Sequence, residues 1–305
     1  PIAVLKNGAG PSAFFSGGVH GDEYEGPVAL LNLVRELRAE QLQGRLIVIP
    51  SLNLPAALKG VRCSPIDGLN MNRVFPGDRE GTVTLIIAHY VCHVLLPMID
   101  IQVDMHSGGT TLEYIPSINM RVADDTERAQ KTFDALRTFG APMGLVDRNL
   151  DDTGVLSTVC ERRGILNLDT ELGGAGRVDR NTVRMASNGV KNLLKHFQML
   201  DGEIVTPAQQ GRDATRLAEI TDLACYVMAP DAGLYEPFVE LGEDVRDDQP
   251  LGRIHYVDDL HREPVIVTAS RSGFLVCKRP PGRVQRGDNI AIVAQQLQAT
   301  TYGLV

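Results

Sequence analysis

Tryptophan is absent from the 305-residue sequence, and aromatic residues make up only 5% of it. Basic residues are also in the minority, because 30 Lys and Arg stand against 38 Asp and Glu and give a formal net charge of −8. A nucleic-acid-binding surface needs a basic face, and single strands are held by stacking on aromatic side chains. We therefore expect no nucleic-acid partner, and the composition is typical of an acidic enzyme or small-molecule binding protein.

Long apolar runs are missing too. No stretch approaches the roughly 18–20 apolar residues that cross a bilayer, so we expect no membrane segment. The cysteines are widely spaced and include no Cys-x-x-Cys pair: Cys63, Cys92, Cys160, Cys225 and Cys277. This spacing argues against a zinc ribbon or a disulfide framework and predicts a reducing, cytoplasmic location. Because the sequence begins with Pro1 and not with Met, we expect further residues before it.

Short apolar segments alternate with helical periodicity over the first two thirds of the chain. The apolar segments predict buried strands at residues 13–18, 46–50, 101–105 and 165–169. The periodic segments predict helices at residues 25–37, 82–99, 126–139 and 183–200, of which the second is largely buried. This alternation predicts an α/β domain with a mostly parallel sheet flanked by helices.

The pattern of apolar and polar residues changes after about residue 205. Short β-type segments then recur between turns rich in Gly, Pro and Asp, at residues 226–229, 234–239, 249–254, 265–269, 273–278 and 289–294. They predict a small all-β domain, a barrel or a sandwich, with the polar residues 206–216 as its linker. We therefore divide the chain into a catalytic α/β domain at residues 1–205 and a β domain at residues 206–305.

His20 and Glu23 stand three residues apart, after a predicted strand and before a predicted helix. Side chains at this spacing share a face of a helical turn, so an imidazole and a carboxylate could clamp one cation, such as zinc. The alternative is a capping histidine beside a solvated acid. Taken alone, the pair favours that alternative.

Two more predicted strands end in polar, Gly-rich clusters. His106 follows one of them, and Asp104 lies on the same side of the strand, where it could orient the imidazole. Glu171 ends the other, where a general base beside a metal site would lie. Ligands of open α/β sheets collect beyond the carboxyl ends of the strands, and all three clusters lie at such ends.

A loop at residues 62–78, RCSPIDGLNMNRVFPGD, contains the cations Arg62 and Arg73. Arg presents a planar fork that binds carboxylates through two hydrogen bonds, so the loop suits a substrate that carries a carboxylate. The alternative is a surface loop with solvated arginines.

Together, the ordered motifs GGVHGDEYEG, NMNRVFPG, DMHSGG and DTELGG resemble the succinylglutamate desuccinylase/aspartoacylase family, itself similar to the zinc carboxypeptidases. APDAGLYEPFVELGEDV and PGRVQRGD resemble its C-terminal domain. The resemblance implies a zinc-carboxypeptidase-like α/β fold with a small all-β C-terminal domain. It also implies zinc-dependent hydrolysis of the amide bond of a small N-acyl amino acid. HGDEYEGPVAL and SPIDGLNMNRVFPGD look most similar to the bacterial N-alpha-acetyl-diaminobutyrate deacetylases of ectoine breakdown.

The family's metal and catalytic roles carry over to four positions. The resemblance implies that His20, Glu23 and His106 hold one zinc ion per chain. It implies that Glu171 activates water and returns the proton to the leaving amine.

The family's substrate-binding roles carry over to the 62–78 loop. Asn72 and Arg73 match the pair that binds the substrate's α-carboxylate, and Arg62 matches the arginine that polarises the scissile carbonyl. One position departs from the pattern, because Ser157 stands in the TGVLST segment where we expect an aspartate. This departure leaves the exact acyl amino acid open.

Other functions compete with this interpretation. A succinylglutamate desuccinylase or aspartoacylase-type deacylase would use the same motifs, and so would a metallocarboxypeptidase with an open groove. A binding protein without catalysis, or a carrier tail modified at Lys278, is disfavoured, because the catalytic set is complete and Lys278 lacks the context of a modified lysine. We expect a small-molecule substrate and a homo-oligomer.

Overall fold

A computed structural model describes residues 1–122, 125–147, 153–298 and 303–304. The first eight strands are β1 Ala3–Asn7, β2 Ser12–Gly17, β3 Gly44–Ile49, β4 Ile101–His106, β5 Glu113–Tyr114, β6 Ser117–Arg121, β7 Met143–Asp147 and β8 Leu166–Glu171. The helices are α1 Glu25–Glu36, α2 Leu54–Lys59, α3 Val83–Tyr90, α4 Thr126–Phe139, α5 Leu156–Arg162 and α6 Arg180–His196.

The central sheet has the strand order β1-β3-β2-β4-β8-β6-β7. Strands β3, β2, β4 and β8 run parallel, as do β6 and β7, whereas β1 and β6 pair antiparallel with β3 and β8. One apolar core joins the sheet to α1, α4 and α6, and a second joins it to α3 and α5. The predicted α/β class, with a mostly parallel sheet flanked by helices, is confirmed.

Local chemistry places the helix ends. Asp125 caps α4 by accepting hydrogen bonds from Glu127 N and Arg128 N, and Gly140 ends the helix with φ +79°. Acceptors at the first turn and left-handed glycine at the last satisfy backbone groups that a helix leaves unpaired. The prediction of a helix at residues 126–139 is therefore confirmed at both ends.

The predicted buried helix at residues 82–99 differs from the structure. Its path is helical, but α3 passes into a π-helical turn at Val91–Leu95 and a short 3₁₀ turn at Leu96–Met98. Pro97 has no N–H, so the last turn of this segment cannot continue an α-helical hydrogen-bond pattern. Every fourth residue also faces solvent, so the segment is buried on one side only: Ile86, Tyr90, Val94 and Met98 are 37–47% exposed.

The C-terminal part is all β. Its strands are β9 Arg216–Ile220, β10 Tyr226–Met228, β11 Gly233–Pro237, β12 Asp244–Val245, β13 Pro250–His255, β14 Val265–Thr268, β15 Gly273–Lys278, β16 Arg283–Val284 and β17 Asn289–Gln296. One four-stranded sheet has the order β14-β13-β11-β16. The predicted all-β C-terminal part is confirmed.

The β-rich part is joined to the central sheet through β9. This strand runs parallel to β7 and pairs antiparallel with β17, which in turn pairs with β15. An apolar core shared by these strands contains Leu145, Ala218, Phe274 and Ile292. The division at residue 205 stays a prediction, and β9 is a strand that the sequence patterns did not indicate. Among the described residues, no helix has both the length and the apolar character that a bilayer span requires.

Candidate metal centre and active site

Three parallel strands end at the same edge of the sheet and place the first site residues there. Strand β2 ends at Gly17, just before His20, while β4 ends at His106 and β8 at Glu171. The turn that holds His20 packs tightly on α2, because a Cβ on Gly21 would lie 2.0 Å from the carbonyl carbon of Ala56. Only glycine permits this approach.

Three buried side chains converge at this edge. His20 Nδ1 lies 2.7 Å from Glu23 Oε1, and His106 Nδ1 lies 2.9 Å from Glu23 Oε2. One potential ligand atom from each residue lies within 4.8 Å of the other two. The structure thus brings together the three residues that the sequence predicts as metal ligands.

The outer nitrogens of both imidazoles already have acceptors. His20 Nε2 lies 3.0 Å from Asn70 Oδ1, and His106 Nε2 lies 3.0 Å from Asp104 Oδ2. Because these oxygens accept, each Nε2 donates, and a neutral imidazole then presents the Nδ1 lone pair to Glu23. Lone pairs that face a carboxylate at this distance need a proton or a cation between them. Two nitrogens and one carboxylate are a donor set that fits zinc.

The charges around Glu23 favour a cation. Burial alone would raise the pKa of Glu23, but the imidazoles of His20 and His106 hold that pKa well below its usual range. Burial would lower the pKa of His106, yet the carboxylates of Asp104 and Glu23 raise it well above its usual value. The carboxylates that face His106 therefore favour positive charge at this point of the pocket.

Glu171 lies beside this centre. The backbone register pairs it with His106 across β4 and β8. Its Oε2 atom is buried and has no hydrogen-bond partner within the described part of the chain. Burial and the charge of Glu23 raise the pKa of Glu171 to about 8, although His106 and Arg62 oppose that shift. A carboxyl group with a pKa near neutrality can both accept and return a proton.

The loop before α3 contributes the remaining predicted site residues. Asn72 Nδ2 lies 3.4 Å from His106 Nε2, and Asn72 Oδ1 accepts a hydrogen bond from Leu156 N at 3.1 Å. Arg73 is exposed, and its Nη1 donates to Asn72 O at 2.6 Å. Arg62 Nη1 donates to Glu23 Oε1 at 3.2 Å, with 42% of its side chain exposed. Both guanidinium groups can therefore be reached from solvent.

All seven predicted site residues line one cavity of about 360 Å³. Sequence reasoning missed several other lining residues, which come from five different strands: Asn119, Asp147, Asp169, Tyr226, Met228 and Asn289. Asp169 could have been found, because it lies two residues before Glu171 and so shares its face of the strand. The last three belong to the β-rich part, and no local motif indicates that they reach the cavity.

Comparison with known proteins agrees with this geometry. The family model described as the succinylglutamate desuccinylase/aspartoacylase catalytic domain matches residues 9–197. The chain is 40% identical over 300 residues to the N-alpha-acetyl-L-2,4-diaminobutyric acid deacetylase of Halomonas elongata, which covers 98% of this chain and 86% of that protein.

Solved structures match over nearly the whole length. A succinylglutamate desuccinylase/aspartoacylase from Rhodobacter sphaeroides is 43% identical, with a TM-score of 0.92 over 98% of this chain and 89% of that one. The product-bound ectoine utilization protein EutE from Ruegeria pomeroyi is 39% identical, with a TM-score of 0.91 over 97% and 88%. The chain belongs to the succinylglutamate desuccinylase/aspartoacylase family.

Proposed function

We propose that the protein is a zinc-dependent amidohydrolase that removes the acetyl group from N-alpha-acetyl-L-2,4-diaminobutyrate. The observation that carries this proposal is the convergence of His20, Glu23 and His106 in one cavity with Glu171, whose Oε2 has no hydrogen-bond partner among the described residues. The substrate is taken from the name of the Halomonas elongata relative. The Ruegeria pomeroyi structure, an ectoine utilization protein, agrees with it.

His20, Glu23 and His106 would hold the zinc ion. When bound there, zinc supplies Lewis-acid polarisation of an amide carbonyl and lowers the pKa of water. Glu171 takes a proton from the attacking water at Oε2 and returns it to the nitrogen of the leaving amine. The carbon–nitrogen bond breaks, and acetate and the free amino acid leave.

The arginines act on the substrate's charges. Arg62, already beside Glu23, donates to the oxygen that becomes negative during attack, which is where electrostatic stabilisation is strongest. Asn72 and Arg73 bind the α-carboxylate and so orient the amide toward Glu171. Tyr226, Met228 and Asn289 of the β-rich part line the same cavity, and this enclosure favours a small acyl amino acid over a peptide.

The test is a turnover screen with zinc-loaded protein. Acetate release from N-alpha-acetyl-L-2,4-diaminobutyrate is compared with hydrolysis of N-acetylaspartate, N-succinylglutamate and short peptides, and zinc content is measured by elemental analysis. We expect one zinc per chain and the highest kcat/KM for the diaminobutyrate derivative. Preferential hydrolysis of peptides, or no hydrolysis of any acyl amino acid, would overturn the proposal.

A further inference from the structure

The cavity contains a carboxylate that the proposed mechanism leaves unused. Asp169, on β8, lines the cavity. It is neither a proposed metal ligand nor one of the proposed catalytic residues, Glu171 and Arg62. Strand β8 lies between β4, which carries His106, and β6, which carries Asn119. Asp169 lies on the same strand as Glu171, two residues before it, and pairs with Asp104 where Glu171 pairs with His106.

The spacing between Asp169 and Glu171 suits two nitrogens of one small molecule. They are residues i and i+2 of a strand, so their side chains share a face and start about 6.6–6.8 Å apart. In an α,γ-diamino acid four bonds separate the two nitrogens, which span at most about 5 Å. With the leaving amine at Glu171, the second nitrogen comes within hydrogen-bonding reach of Asp169.

The surroundings of Asp169 favour a bound cation. The backbone register pairs Asp169 with Asp104 on one neighbouring strand and with Asn119 on the other. Burial and the charge of Asp104 raise the pKa of Asp169 to about 6, against opposing effects of His106 and Arg121. The carboxylate is thus ionised at neutral pH in a place that disfavours its charge, and an ammonium group beside it relieves that cost.

The described part of the cavity lining next to Asp169 also carries more negative than positive charge. Asp147 lines the cavity from β7. Among the described residues, the lining on β6, β7 and β8 beyond Glu171 contains two carboxylates, Asp147 and Asp169, and one guanidinium, that of Arg121. A second carboxylate on the substrate, as in N-acetylaspartate, would therefore meet more negative than positive charge in the described part of this lining. Cationic groups for a carboxylate are found instead on the loop before α3, at Arg62 and Arg73.

We propose that Asp169 is the specificity-determining residue of this enzyme and binds a protonated side-chain amine of the substrate. The assignment rests on the proposed deacylase function and deepens it, since it names the group that distinguishes a basic acyl amino acid from neutral and acidic ones. Asn119, opposite Asp169 on β6, contributes a side-chain amide at the same subsite.

The experiment compares two substrates of nearly equal shape on the zinc-loaded full chain. N-acetyl-2,4-diaminobutyrate carries the amine, and N-acetyl-2-aminobutyrate lacks it. We expect kcat/KM to favour the amine by on the order of 100-fold or more, because a site built to hydrogen-bond a group rejects the analogue without it. The Asp169→Asn variant should reduce this ratio to within a few-fold of one, and Asp169→Glu should restore part of it.

The controls distinguish a role of Asp169 in substrate selection from a role in folding and from the deacylase function itself. Asp201→Asn, at an exposed aspartate after α6, should keep the wild-type ratio. A purely structural role of Asp169 would lower both kcat/KM values in parallel and keep their ratio, which would overturn the assignment. Equal turnover of both substrates by the wild type would overturn it without any variant. No turnover of any acyl amino acid would overturn the proposed function itself, and the assignment with it.

Discussion

Asp104 Oδ2 lies 3.0 Å from His106 Nε2 and so determines that Nδ1 is the nitrogen of His106 that faces Glu23. The carboxylate is itself held in place, because Ser16 Oγ donates to Asp104 Oδ1 at 2.8 Å. Such outer carboxylates fix the tautomer and the ring orientation of a metal-binding histidine. The relationship also makes the metal site testable without changing a ligand.

Replacement of Asp104 by Asn should weaken zinc binding by roughly 10–100-fold, the usual effect of removing an outer-shell partner. The measurement is competition with a chromophoric chelator. Ser16→Ala serves as the control, since it removes only one hydrogen bond to Asp104 and should have a smaller effect. Unchanged affinity in Asp104→Asn would mean that the orientation of His106 does not depend on this contact.

Replacement of Glu171 by Gln should leave one zinc per chain but lower kcat by several orders of magnitude. Gln is close in size to Glu but cannot accept a proton from water or return it to the amine. Steady-state kinetics measures kcat, and elemental analysis of the same preparation measures the zinc content. Near-normal turnover with normal zinc content would contradict the role of Glu171.

The Glu171→Gln variant should also differ from the wild type in how its stability depends on pH, when a chelator has removed the metal from both proteins. The pKa of Glu171 is raised to about 8 by burial, so between about pH 5 and pH 8 the folded chain holds a proton that the unfolded chain has lost. The contribution of this group to the free energy of unfolding therefore falls as pH rises through that window.

The Gln variant has no carboxyl group at this position and so lacks this pH-dependent contribution. Its free energy of unfolding relative to that of the wild type should therefore increase from pH 5 to pH 8, by at most about 1.4 kcal/mol per pH unit. Urea unfolding at several pH values measures the difference. A difference that stays constant over the window would show that burial does not shift the pKa of Glu171.

Replacement of Gly154 by Ala should impair substrate binding through Arg73. Gly154 has φ +91°, and a Cβ there would lie 2.4 Å from the carbonyl oxygen of Arg73. The backbone carrying Arg73 must therefore shift, and we expect KM to rise at least about tenfold, since small misplacements of orienting groups are costly. Gly211→Ala is the matched control, because Gly211 also has positive φ (+66°) but no atom within 4 Å of the added Cβ.

Gly211→Ala should lose about 1–2 kcal/mol of stability, as expected for a left-handed residue with a side chain, and Gly154→Ala should lose more because of its steric clash. Only Gly154→Ala should change KM. Equal kinetics in the two variants would contradict the proposed link between Gly154 and Arg73.

Replacement of Asp67 by Asn should loosen the loop that carries Arg62 and Arg73. Asp67 Oδ2 accepts from Thr84 N at 2.9 Å, and Oδ1 accepts from Thr84 Oγ1 at 2.8 Å, which caps α3 from a distance. We expect a loss of about 1 kcal/mol at pH 7, the usual worth of a cap. Thermal unfolding measures the loss, and KM should rise as the arginines lose their anchor.

At strongly acidic pH the difference in stability between Asp67→Asn and the wild type should disappear. Although burial opposes it, the hydrogen bonds from Thr84 and Thr82 hold the pKa of Asp67 well below its ordinary value. The group therefore stabilises the fold above that ordinary value, and this stabilisation is lost as pH falls toward the lowered pKa. A difference in Tm that persists undiminished at strongly acidic pH would contradict the cap.

Local patterns predicted much of the fold. Helix α4 was predicted from its amphipathic periodicity, and its ends coincide with the local signals Asp125 and Gly140. Strand β15 was predicted because its apolar run is bounded by turns. Strands β6, β7 and β9 were not indicated by the sequence patterns, and each is held by pairing with strands elsewhere in the sheet. A segment of this kind is stabilised by its neighbours in the sheet and carries little signal of its own.

The sequence by itself determined the chemistry that is local: the His20–Glu23 spacing, the polar clusters after apolar strands, and the motifs that identify the family. The tertiary structure alone decided which clusters meet. Parallel pairing of β2, β4 and β8 brings His20, His106 and Glu171 to one edge, and strand order is a property of distant contacts. It also decided that Glu171 titrates near neutrality and that Asp169 and Asn289 face the same cavity, because burial and register exist only in the folded chain.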